Sequence, residues 1–81
     1  MEMRIVVPDA TSASALAERL TAAFGAHKIS RPSGPEVGVE VGRHSDRAVL
    51  RVLDAVDRWL DHTGAGFADM RLGKHSYRFT R

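Results

Sequence analysis

His27, His44, His62 and His75 are the side chains best suited to hold a metal or to carry a proton near neutral pH. Their spacing does not assemble a site. No two stand one helical turn apart, no cysteine accompanies them, and His27 and His62 fall near helix ends, where an imidazole commonly caps carbonyls. The adjacent His44, Ser45 and Asp46 do not make a triad, because neighbours in sequence project in different directions. No catalytic residue, metal or cofactor is expected. The run Gly42-Arg43-His44-Ser45-Asp46 is a better candidate for binding. At a helix start, Arg43, His44 and Ser45 would meet an anion together with free backbone N–H groups and the helix dipole. The same residues suit an ordinary strand-to-helix turn with a good N-cap, and the Asp46 carboxylate opposes an anion there.

A second constellation comes from the end of the chain. Phe67–Leu72 and His75–Thr80 flank Gly73-Lys74 and read as a hairpin, with Leu72 opposite His75, Met70 opposite Tyr77 and Ala68 opposite Phe79. Arg71 then faces Ser76 and Asp69 faces Arg78 on the other side, so one face is apolar and the other charged. The open face should gather Arg4, Val6, Glu40, Phe67, Asp69, Arg71, Arg78 and Thr80. A base-stacking platform needs several rings on that face, and Phe67 alone qualifies, while Asp69 and Glu40 repel phosphate. Binding of DNA or RNA through Arg4, Arg71 and Arg78 stands as the alternative to a face that binds protein or is simply solvated. If the last strand lies at the sheet margin, its backbone groups should be free to pair with a second copy or another protein, unless Lys74, Arg78 and Arg81 act as charges that keep it solitary. Trp59, at the end of a helical stripe, is either a lid on the core or an interface anchor.

The elements that must position these residues follow from periodicity. Met3–Val7 is short and β-branched and stops at Pro8-Asp9. From Thr11 or Ser12, Ala13, Leu16, Ala17, Leu20 and Phe24 recur at helical spacing until Gly25. Residues 26–30 fit a short edge strand, followed by the loop Arg31-Pro32-Ser33-Gly34-Pro35. Val37, Val39 and Val41 alternate as in a half-buried strand. After Ser45 or Asp46, a second helix carries Val49, Val52, Leu53, Val56, Trp59 and Leu60 on one stripe, with Arg47, Arg51, Asp54, Arg58 and Asp61 facing water. The order predicts a single α+β domain over 1–81: a two-layer sandwich, ferredoxin-like or related, with two helices on one face of a mixed sheet and right-handed crossovers.

Composition narrows the class. With 81 residues, 43% apolar and 27% charged, the chain has room for one modest core. No apolar run approaches a membrane span, no secretory leader is evident and there is no cysteine, so a cytoplasmic location is expected. The net charge of +2 and pI near 9.7 are mildly basic, but the charges are interspersed rather than segregated.

From Lys28 onward, the strand-like Ile29, the Pro32-Ser33-Gly34-Pro35 loop, the valine strand Val37 to Val41, the helix from Ala48-Val49-Leu50 to Trp59-Leu60 and the closing hairpin resemble the effector-associated constant component domains of bacterial conflict systems. The turn Gly42-Arg43-His44-Ser45-Asp46 departs from the glycine-rich turn of that pattern. The resemblance implies a small non-enzymatic adaptor beside an effector enzyme, with no catalytic residue to carry over. The expectation overall is a protein-interaction module using a sheet edge or the open sheet face, with Arg4, Trp59, Phe67, Asp69, Arg71 and Arg78 as the residues a partner would touch. Nucleic-acid binding on the open face, or anion binding at residues 42–46, is the alternative.

Overall fold

A computed structural model describes residues 1–42 and 46–80. Arg43, His44 and Ser45, the proposed anion-binding residues, lie outside the described residues, as does Arg81. The elements run β1 (Glu2–Val6), α1 (Ala10–Phe24), a single 3-10 turn (Ala26–Lys28), β2 (Glu36–Glu40), α2 (Asp46–Thr63), β3 (Phe67–Leu72) and β4 (His75–Thr80). They form the expected two-layer α+β sandwich, and the element order roughly follows the ferredoxin-like succession.

Strand order is β2-β1-β3-β4, and each pairing is antiparallel rather than mixed as expected. The reason lies in how the helices cross. β2 and β3 are both antiparallel to β1, so they are parallel to each other and α2 carries the chain across with β1 between them. Residues 29–33 play the same part for α1. Ile29 bridges Val39 and Ser33 bridges Glu36, both antiparallel, so this segment runs parallel to β1 on the far side of β2. The expected edge strand at 26–30 is therefore reduced to a 3-10 turn and two isolated bridges. Each helix makes a crossover that skips one strand, the split βαβ arrangement.

Period-two alternation divides the sheet into a dry and a wet face. Met3, Ile5, Val7, Val37, Val39, Val41, Ala68, Met70 and Leu72 are buried beneath the helices, and Tyr77 and Phe79 pack against them half-buried. Ala13, Leu16, Ala17 and Leu20 of α1 and Val52, Val56, Trp59 and Leu60 of α2 complete the core. The hairpin register is the one expected, from Phe67↔Thr80 to Leu72↔His75. Gly73, with φ of 60°, takes the left-handed first position of a type II′ turn, the tight connection that matches strand twist. Helix α1 starts earlier than Thr11. Its cap is Asp9, whose Oδ1 accepts the Ser12 N–H at 2.7 Å. That backbone N–H, together with the Ser12 side chain and the Thr11 N–H, holds the Asp9 carboxyl below its ordinary value of 3.8.

Truncating the fully buried Leu20 or Met70 to Ala should cost about 2–5 kcal/mol in urea unfolding. Leu50→Ala, at a side chain 63% exposed, should stay within about 0.5 kcal/mol of wild type. For Asp9 the lowered native value fixes the sign. Its ionic cap contributes fully above pH 3.8 and is lost as the pH falls through the lower native value. Thermal unfolding of the wild type should therefore fall toward that of Asp9→Asn in strong acid, while the two differ most near neutrality.

Candidate interaction surface

The open face carries Glu2, Arg4, Val6, Glu36, Gly38, Glu40, Phe67, Asp69, Arg71, Ser76, Arg78 and Thr80, as strand alternation requires. Its charges mostly answer one another. Arg4 lies 3.1 Å from Glu36 across the β1–β2 pair and 3.7 Å from Glu2. Arg78 reaches Asp69 at 3.4 Å and sets its guanidinium 5.1 Å from the centre of the Phe67 ring. The one aromatic ring of this face is thus covered by a cation, which removes the stacking surface an exposed base would need. These pairs are solvent-exposed and individually weak. Their effect is on chemistry rather than stability, since they occupy the arginines that a phosphate backbone would seek.

Arg71 is different. It stands directly across from Arg4 in the β1–β3 register, a like-charge juxtaposition, and makes no ion pair with any described residue. Depressions of about 330 Å³, lined by Arg4, Val6, Glu36, Asp69 and Arg71, and about 260 Å³, reaching Asp69, Ser76 and Arg78, flank it. Both contain the Asp69 carboxylate, so neither is a clean anion pocket. Of the expected contact residues, Arg4, Phe67, Asp69, Arg71 and Arg78 share this face, as the hairpin register requires. Trp59 does not. It is 5% exposed, and the stripe it shares with Val52, Val56 and Leu60 turns its indole into the core, so it is a packing residue and not an interface anchor.

The remaining histidines do not converge. His27, His62 and His75 sit on separate elements, and among the described residues no three metal-ligating side chains come together. Gly42, Asp46, Lys74 and His75 border a hollow of about 370 Å³.

The two margins of the sheet contrast sharply. At the β2 margin, the outward backbone groups of Gly38 are both taken: its N–H donates to Ser30 Oγ at 2.9 Å and its carbonyl accepts from Ser30 N–H at 2.9 Å. The Ser30 hydroxyl also donates to the Gly38 carbonyl at 3.2 Å. Ser33 and Glu36 exchange backbone bonds of 2.9 and 3.1 Å in the same way. Glycine at position 38 permits this approach, because a Cβ there would lie 2.5 Å from Ser30 Oγ and 2.6 Å from Glu2 Oε2 and would displace those side chains. The sequence carries a signal for this lock in a lone glycine between two inward valines, since glycine inside a strand often marks close approach of another backbone.

At the β4 margin no comparable lock is present at Ser76 and Arg78 among the described residues. Leu72 and His75 close the two-residue turn as a hydrogen-bonded pair, so alternation makes Tyr77 and Phe79 the next β4 residues bonded to β3. The N–H and C=O of Ser76 and Arg78 then point away from the sheet. No described segment outside β3 pairs with β4. On the helix side of this margin lie the half-buried Tyr77 and Phe79.

Gly38→Ala should force Ser30 from its seat, and Ser30→Ala should leave the Gly38 N–H without its acceptor. Amide exchange at position 38, read by NMR, is expected to quicken in both variants while exchange at Met70 in the sheet centre stays slow.

Compared with protein-family models, with curated proteins and with solved structures, the chain gives no match to any of them.

Proposed function

We propose that this chain is a small non-enzymatic adaptor that binds protein by accepting a strand at the β4 margin. The observation that carries the reading is the asymmetry of the two margins. β2 is stoppered by Ser30 and Ser33, whereas β4 presents the outward backbone groups of Ser76 and Arg78 beside half-buried rings. Strand addition supplies affinity through main-chain hydrogen bonds and selectivity through alternate side chains. Here the alternate positions are the rings of His75, Tyr77 and Phe79 on one face and Ser76 and Arg78 on the other. The resemblance to effector-associated constant component domains agrees with such an adaptor role. No helix among the described residues is long and apolar enough to cross a membrane.

Nucleic-acid binding on the open face is the second reading, and Arg71 is the observation in its favour. Against it stand the carboxylates of Glu2, Glu36, Glu40 and Asp69 on the same surface and the covering of Phe67 by Arg78.

Ser76→Pro separates the two. A proline at this outward position removes a donor from the margin without breaking a bond to β3. Immobilised wild-type and Arg71→Glu proteins should retain the same cellular proteins, and Ser76→Pro should lose them. Retention unchanged in Ser76→Pro places binding elsewhere. Salt-sensitive RNA or DNA binding lost in Arg71→Glu would replace the first reading with the second.

A further inference from the structure

The β4 strand has a symmetry of residue type about its middle. From His75 to Phe79 it reads ring, polar, ring, polar, ring, with Tyr77 at the centre. Because antiparallel pairing of identical strands is two-fold symmetric, a strand of this kind is complementary to itself. We propose that the β4 margin takes a second copy of this chain, antiparallel and pivoted on Tyr77. The inference rests on the edge-binding reading above and names its partner.

Charge selects the pivot. Outward backbone groups must meet outward ones, so the pair pivots on a residue, and Tyr77 and Arg78 lie nearest the middle of the strand. Pivoting on Arg78 sets that residue against its own counterpart, two like charges directly opposite, which is destabilising. Pivoting on Tyr77 sets Arg78 against Ser76 of the second copy, Phe79 against His75, and Tyr77 against its counterpart. Each Arg78 keeps its own Asp69 at 3.4 Å as counter-ion. In this register Ser76 and Arg78 form the hydrogen-bonded pairs, and the two Tyr77 residues form the close, non-hydrogen-bonded pair on the helix side. Tyr77 and Phe79, half-exposed in the single chain, are then covered by rings of the second copy. Lys74, which would guard a lone edge, falls opposite Thr80 and meets no like charge among the described residues.

The full chain should therefore sediment as a dimer that dissociates on dilution, and Ser76→Pro should sediment as a monomer with its thermal unfolding retained. In the wild type, amide exchange at Ser76 and Arg78 should slow by about tenfold once nine chains in ten are paired, with no such change at Gly38. The chain has no cysteine, so single-cysteine variants report register directly. Tyr77→Cys should cross-link to itself under mild oxidation, since Cα atoms of a close antiparallel pair lie within disulfide reach, and should do so faster than Arg78→Cys. Preferential cross-linking through Arg78→Cys, or a dimer that survives Ser76→Pro, overturns the proposal. A wild type that is monomeric at every concentration also overturns it. Edge binding would still hold in that case if retention of cellular proteins depends on position 76, and would fail with it if retention does not.

Discussion

Met3 and Ile5 of β1 are fully buried and are held from both sides by strands distant in sequence, Val39 and Val37 on one flank and Met70 on the other. That double pairing is the constraint on which the rest of the molecule depends. Once β1 is central and its inward residues are apolar, the two-residue repeat decides the face of each neighbouring side chain. The helices then have one surface to cover, and α1 and α2 bring matching stripes to it. A slip of one residue in any pairing would bury Arg4, Asp69 or Arg71 and expose Ile5 or Met70, so burial of one face specifies the register.

The polar face shows how such a sheet limits its own reactivity. Arg4 and Arg71 are forced opposite each other by the β1–β3 register, and the repulsion is relieved on one side only, by Glu36 and Glu2 at Arg4. Arg78 is occupied twice, by Asp69 and by the Phe67 ring. The face retains a modest positive spot at Arg71 but no extended basic track and no bare ring. The perimeter differs in kind, since it offers backbone rather than side chain.

The hairpin was legible in the sequence because Gly73-Lys74 fixes which residues face which, and both helices were legible because their stripes keep the helical period over three turns or more. Strand order was not legible. It arises from where α1 and α2 set the chain down, which no local pattern encodes, and with it the Arg4–Arg71 opposition stayed hidden. The cap at Asp9 is not legible because Thr11 and Ser12 are also good caps, and the choice depends on which carboxylate or hydroxyl reaches a free N–H. Trp59 was ambiguous for a similar reason: it closes a stripe, and only the packing of α2 on the sheet shows whether the end of a stripe is inside or outside. The Ser30–Gly38 lock joins two loosely patterned segments by side-chain-to-backbone bonds, and its single trace in the sequence is the glycine.

That lock has a bearing on solution behaviour as well as on recognition. Antiparallel sheets with two bare perimeters can propagate, each newcomer exposing a fresh template, and this is how β-rich chains drift toward fibrils. With Ser30 and Ser33 seated along one perimeter, the backbone groups of Gly38 and Glu36 are already taken there, and a pair joined at the other perimeter would present these occupied rims at both ends. On the proposed pairing, growth would halt after a single step, so a second copy would complete the sheet without seeding a polymer.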